Sequence, residues 1–229
     1  IAHPTTTAVF GTINWIDSTA SAVGEMICNL CKATGVRVTR EIAECVYTAL
    51  ITDTGSFHYS NTTERTFKVA SELVRTGVKP AKTAEAVFAS YPWSRIELMG
   101  AVLSTARRDE SGRVACMRQS LEMQHQASAS DEDADGFVNY PLTVGEVEAV
   151  AMLKECEPGI YRTSLRSKGD VNVAKVAEKF GGGGHRNAAG CTLKGSWEEA
   201  ETLIVRLLQD AVKRANGDLT EDALKESVA

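Results

Sequence analysis

The 229-residue chain is 43% hydrophobic and 24% charged, an ordinary soluble composition long enough for one large domain or two modest ones. Its formal net charge of -5 disfavours a protein that coats duplex nucleic acid through a global positive field, but leaves a local basic pocket for small anions open. No apolar run approaches the roughly 20 residues needed to span a bilayer, and no signal peptide is visible. The chain opens on Ile1 rather than Met, so a missing beginning is expected. Six cysteines lie in apolar segments. Cys28 and Cys31 form a CxxC, yet no second CxxC or nearby histidine completes a zinc set. All six are expected to be small buried residues of a reducing cytoplasm.

In chain order, the first half reads as helical. "STASAVGEMICNLCKATG" offers Ser18 or Thr19 as N-cap and Gly35 as stop, with Val23, Ile27, Leu30 and Cys31 on one stripe. "TREIAECVYTALITDTG" starts at a Thr39 cap, with Ile42, Val46, Ala49 and Leu50 aligned. A third helix is capped by Thr62 or Thr63 and closed by Gly77 and Pro80, a fourth runs from Pro80 to Ser90, and "PWSRIELMGAVLS" supplies a fifth. From about Gly112 the pattern changes. "RVACMRQSL", "VEAVAMLKE" and "GIYRTSLRS" suit strands, and "HQASASDEDADGFVNYP" reads as a loop or helix start. "VNVAKVAEKF" is a short helix leading into "GGGG", and "AAGCTLKG" a strand leaving it. "SWEEAETLIVRLLQDAVKRANG" is a long amphipathic helix with a capping box of Ser196 and Glu199. The fold class is α/β in two lobes, a helix-rich piece over 1–110 and an α/β domain with a mixed sheet over 111–217. An acidic tail over 218–229 follows.

Two stretches could carry chemistry. In "ITDTGSFHYSNTT", Asp53 ends a helix beside a sharp glycine turn. Its carboxylate could ligate a divalent cation, or simply bond its own backbone two residues on. The second stretch is "YRTSLRSKGDVNVAKVAEKFGGGGHRNAAG". Strand alternation puts Arg162, Ser164 and Arg166 on one face, an odd way to build a core but suited to gripping phosphate oxygens. A merely solvated face is the alternative. The amides of Gly182, Gly183 and Gly184 could form an anion-binding concavity that His185 and Arg186 also reach. The spacing fits neither GxGxxG nor GxxxxGK[ST]. A flexible linker is disfavoured by the apolar flanks.

Together these stretches resemble the DHH phosphoesterases with their DHH-associated C-terminal domain, in the bacterial oligoribonuclease/pAp-phosphatase branch. "TDTGSFHYSNTT" is similar to the family's fourth metal motif, and "SLRSKGDVNVAKVAEKFGGGGHRNAAG" to the signature of its C-terminal domain. "FGTINWIDSTASAVGEMI" and "GFVNYP" resemble that branch too. The resemblance implies a cytoplasmic hydrolase with two Mn2+ ions. Its substrates would be short RNA or DNA oligonucleotides, or 3′-phosphoadenosine 5′-phosphate (pAp), and a homodimer is one candidate assembly. It assigns Asp53 to metal ligation and catalysis, and Ser164, Arg166, Gly182, Gly183, Gly184, His185 and Arg186 to substrate binding. The family's first three metal motifs should precede or coincide with "IAHPTTTAVFG", where His3 is a candidate surviving ligand. The expectation is therefore a truncated, poorly active chain with exposed apolar surface on the helices of residues 20–50. Alternatives are a cyclic-dinucleotide phosphodiesterase, a non-catalytic nucleotide-binding module and a structural module. A RecJ-like exonuclease would normally bring a further nucleic-acid-binding domain, for which no stretch is seen.

Overall fold

A computed structural model describes residues 1–2 and 11–217. The chain divides into two compact units, Ile1–Tyr91 and Pro92–Ala229.

The first unit is built from α1 (Val23–Thr34), α2 (Arg40–Asp53), α3 (Glu64–Arg75) and α4 (Pro80–Phe88). Helix α1 stops at Gly35, whose φ of 72° supplies the left-handed cap. Its start lies later than Ser18 or Thr19: Ala22 is the N-cap and makes no side-chain cap bond. Thr39 caps α2 by accepting from the Ile42 amide. Thr63 and Thr66 form a reciprocal capping box on α3, and Pro80 opens α4. The core joins Ala22, Cys28, Ala43, Val46, Tyr47, Leu50, Ile51, Val69 and Leu73. Gly24 allows α1 to press against α2, since a Cβ there would lie 2.9 Å from the Val46 carbonyl oxygen.

The stripe expected on α1 is not its buried face. Met26 and Cys28 are buried, as is Glu25, whose carboxylate accepts from the Ser21 amide (2.9 Å) and hydroxyl (2.7 Å) and pairs with Arg65. Leu30 is exposed. Val23 and Ile27 instead line an open apolar hollow of about 450 Å³ with Ile42, Cys45, Val46 and Ala49. Apolar surface on these helices is thus present, as expected. Cys45 and Cys156 are exposed, which corrects the reading of all six cysteines as buried. Cys28, Cys116 and Cys191 are buried, and burial pushes Cys116 up to about 12 and Cys191 to about 11.

The second unit opens with α5 (Trp93–Ser104), followed by β1 (Arg107–Arg108), β2 (Val114–Gln119) and α6 (Leu121–Gln126). Three 3₁₀ turns cover Glu132–Ala134, Phe137–Asn139 and Pro141–Thr143. Then come β3 (Ala149–Glu157), β4 (Ile160–Ser167), α7 (Ala174–Glu178), β5 (Gly183–His185), β6 (Ala188–Lys194) and α8 (Trp197–Ala215). The strands form one sheet in the order β1-β2-β3-β4-β6-β5. Only β2 and β3 pair in parallel, and the crossover they require carries α6 and the 3₁₀ turns. The α/β class with a mixed sheet is what the strand and helix patterns called for. Helix α6 and strand β5 were not anticipated.

Alternation along the strands explains how the sheet is covered. One face, carrying Cys116, Leu153, Tyr161, Leu165, Cys191 and Leu193, packs on α7 and α8 through Val176, Ile204 and Leu208. The Tyr161 and Trp197 rings lie 4.3 Å apart. The opposite face of β2 and β3, with Ala115, Met117, Val150 and Met152, packs on Leu98, Val102 and Phe137. Strand β3 is therefore buried on both faces and reads as a continuous apolar run. Strands β4 and β6 bury alternate residues only. Their second face is the one to which the sequence assigned chemistry.

Candidate functional site: an open sheet face and a strained turn

On β4 the inward residues are Tyr161, Thr163, Leu165 and Ser167, while Arg162, Ser164 and Arg166 face the other way. Strand register fixes what stands beside them. Arg166 is opposite Ala188, which is opposite His185, so the three form one row across β4, β6 and β5. Ser164, Gly190 and Gly183 form the next row. Directly paired residues share a face with Cβ atoms about 4.5–5.5 Å apart. The sheet thus presents a cationic row beside one with almost no side chains.

The glycines play different parts. A Cβ on Gly182 would lie 2.2 Å from the Gly190 carbonyl oxygen, and one on Gly184 2.4 Å from that of Ala188, so both allow β5 to approach β6. Gly183 has open space where its Cβ would be. The stretch is an edge strand rather than an irregular loop, which changes the amide arithmetic. The Gly182 amide donates to the Ala177 carbonyl at 3.1 Å, so it is already spent, and alternate β5 amides point either into the ladder or off the sheet edge.

The structure brings Ser164, Arg166, Gly183 and His185 together on this face. It does not bring Arg186 with them. Arg186 sits in the two-residue β5–β6 turn and pairs with Asp170 at 2.7 Å. Asn187, its neighbour, pins the turn by donating to Ser167 Oγ, the Gly169 carbonyl and the Val171 carbonyl at 3.0, 3.0 and 3.2 Å. Arg162 has a structural partner: Asp131 bonds both Arg162 Nη2 (2.7 Å) and Lys154 Nζ (2.6 Å). These bonds, from Lys154 first and then Arg162, hold the Asp131 carboxyl below the usual carboxylate range. No local pattern signals that triad, since its members lie 31 and 23 residues apart.

Asp53 is exposed at the end of α2, ahead of a turn in which Gly55, Ser56 and Phe57 all have positive φ (54°, 56° and 68°). Ser56 and Phe57 are non-glycine residues in the left-handed region, a strained arrangement. It is held by Thr54, whose hydroxyl donates to the Leu50 carbonyl (2.6 Å) and accepts from the Phe57 amide (3.1 Å), and by stacking of Phe57 on Phe67 at 5.3 Å. His58 Nδ1 is occupied within the turn, 3.0 Å from the Gly55 and Ser56 carbonyl oxygens. Asn61 Nδ2 donates to the Asp53 and Ser21 carbonyls, tying this turn to the start of α1. There Arg65 pairs with Asp17 and Glu25. Bonds from the Thr19 hydroxyl and amide, then Arg65, hold Asp17 below its usual range. Ala2 bonds the Trp15 and Asp17 backbone. His3 lies outside the described residues.

Among the described residues no group of three or more His, Cys, Asp or Glu side chains could hold a metal ion. Asp53 is accompanied at its turn by His58, whose Nδ1 is held by backbone carbonyls, as the non-ligating nitrogen of a metal-bound imidazole commonly is. At this turn the described residues supply one candidate carboxylate, Asp53, and further ligands would be needed to complete a two-metal centre. No helix among the described residues is long and apolar enough to cross a membrane.

Residues 113–214, which span β2 to β6 and nearly all of α8, match the DHHA1 domain. The chain is 35% identical over 216 residues to a bifunctional oligoribonuclease and PAP phosphatase NrnA of Thermus thermophilus, covering 94% of this chain and 64% of the relative. The chain carries a DHHA1 domain. It is also 28% identical to the protein of that name from Bacillus subtilis, covering 86% of this chain and 63% of the relative. An exopolyphosphatase-related protein from Bacteroides fragilis superposes with a TM-score of 0.85 at 31% identity, covering 91% of this chain and 62% of that one. The chain thus spans somewhat under two thirds of the length of these relatives.

Proposed function

We propose that this chain serves a metal-dependent phosphoesterase that hydrolyses short oligonucleotides to mononucleotides, or pAp to AMP. Its DHHA1 domain would hold the nucleotide. The observation that carries this reading is the pair of rows on the open sheet face. Arg166 and His185 flank a shelf formed by Gly183 and Gly190, with Ser164 at its end. A guanidinium and an imidazole suit phosphate oxygens, and bare backbone suits a flat group lying close against it. The DHHA1 match and the names of the relatives support the substrate class, and a cytoplasmic location goes with it.

In this reading Asp53 is a metal ligand, the metal is Mn2+, and the strained turn after it is held for function. His3 is the candidate ligand at the chain's start. Mn2+ would lower the pKa of a bound water and offset charge on phosphorus oxygens. The described residues of this chain supply phosphate binding and orientation, and hydrolysis by this chain alone is expected to be poor. The lack of a ligand cluster among the described residues favours, as second reading, a nucleotide-binding module without catalysis. The homodimer remains part of the proposal.

The test is titration with AMP and pAp, followed by Mn2+-dependent hydrolysis of a labelled dinucleotide. Arg166→Ala and His185→Ala are each expected to weaken AMP binding about tenfold or more, the loss of roughly 1.4 kcal/mol or more. Unchanged affinity in both would reject the sheet-face site. Hydrolysis lost in Asp53→Asn with binding retained supports the catalytic reading. Binding with no turnover by the unaltered chain supports the module.

A further inference from the structure

A second cationic site lies on the other side of the sheet from the rows of Arg166 and Ser164. Between α7 and α8 is a cavity of about 230 Å³ bordered by Lys175, Lys179, Arg186 and Arg214, with Asp170 the one carboxylate on its border among the described residues. Asn172 adds an amide, and Val176, Leu207, Ala211 and Ala215 form an apolar floor. Lys175 and Lys179 are four apart and so share one side of the chain leaving α7. Neither makes an ion pair among the described residues, although surface lysines commonly do without one.

Arg214 sharpens the case. Its Nε is buried and has no hydrogen-bond partner among the described residues, and a buried donor left unpaired is destabilising. A cation in the last turn of α8 gains from the helix dipole, which explains its charge but leaves the Nε unsatisfied. Arg186, which did not join the Arg166 row, reaches this cavity instead, with Asp170 orienting its guanidinium at the rim. Among the described residues, four basic groups against one acid, in a chain of net charge -5, mark a local anion site.

We propose that this cavity is a second phosphate-binding site, taking a phosphate ester of a nucleotide strand and seating the group attached to it on the apolar floor. Its volume is below the roughly 300 Å³ at which pockets begin to enclose whole drug-sized ligands. That suits one phosphate and its neighbouring group, as when a strand crosses the site. The proposal is independent of the sheet-face site, because none of the residues that carry it lies on that face.

The experiment is fluorescence anisotropy of the full chain with a 12-nucleotide RNA, with and without a 5′-phosphate, over a range of salt and without divalent cations. Lys175→Glu with Lys179→Glu is expected to weaken binding at least tenfold. It should also flatten the dependence of log K on log salt by about 1.4, the loss of two phosphate contacts to a single strand. Arg214→Gln should weaken binding with little change in the slope per remaining contact. Both lysines are exposed, so the folded state should tolerate the change. Lys79→Glu with Lys82→Glu alters net charge equally on the first unit and should leave affinity nearly unchanged.

If only the 5′-phosphorylated RNA responds, the ligand is a terminal monoester. If both RNAs respond, it is an internal diester. Equal losses in the two double variants would reduce the effect to net charge and overturn the site, as would unchanged affinity and salt slope in the α7 variant. AMP binding that fails in Arg166→Ala but persists in the α7 variant keeps the two sites distinguishable.

Discussion

At the scale of single residues, the four glycines illustrate what one letter can mean in adjacent places. Gly182 is required by contact, since its Cβ would strike the Gly190 carbonyl oxygen and Cys191, whereas Gly183 has room. Gly182→Ala is therefore expected to destabilise the domain by about 1–3 kcal/mol, as overpacking does. Gly183→Ala should stay within about 0.5 kcal/mol of the parent. For binding the order reverses. A methyl at Gly183 intrudes on the shelf and should weaken AMP by roughly tenfold, equivalent to 1.4 kcal/mol. Thermal denaturation and AMP titration of the two variants decide it. Equal stability of both, or undisturbed AMP binding in Gly183→Ala, would remove the distinction. The sequence already pointed to close backbone approach here, because apolar flanks excluded a linker. It could not tell which glycine was packed and which was bare, because that depends on the register of β5 against β6.

At the scale of elements, helix ends were legible and helix faces less so. Gly35, Thr39, Thr63, Pro80 and Ser196 act where local chemistry puts them, since a cap needs only its own few neighbours. The face of α1 was misjudged because Glu25 is buried through partners at Ser21 and Arg65, and hydrophobic periodicity takes no account of a satisfied carboxylate. The same blindness hid Asp131, which ties the acidic crossover to β3 and β4 through Lys154 and Arg162. Its pKa is depressed in the folded chain. The stabilisation from this bond set is thus fully present above the unfolded value of about 3.9 and is lost as pH falls through the lower folded value. Asp131→Asn should lower the melting temperature by several degrees at pH 6 and flatten the acid limb below pH 4. Parallel acid limbs in the two proteins would show that the carboxylate contributes nothing there.

At the scale of the molecule, each unit encloses a core of its own, and these cores have different sources. The first depends on helix faces alone and leaves the apolar hollow between α1 and α2 open. The second has a sheet covered on one face by α7 and α8 and over β2 and β3 on the other by α5 and the crossover turns. A fragment beginning at Pro92 keeps α5, and with it Leu98 and Val102, which are fully buried against that sheet. A fragment beginning after α5 would expose Met117, Val150 and Met152 instead. Residues 92–217 should therefore unfold cooperatively and bind AMP within about threefold of the full chain, a difference below about 0.7 kcal/mol. Residues 107–217 should bind a dye for exposed apolar surface and melt without a sharp transition. Circular dichroism melts and AMP titration of the two fragments provide the comparison. Loss of AMP binding in a cooperatively folded 92–217 would mean that the sheet face needs the first unit to hold a nucleotide, and would shift the weight of recognition toward Asp53 and its strained turn.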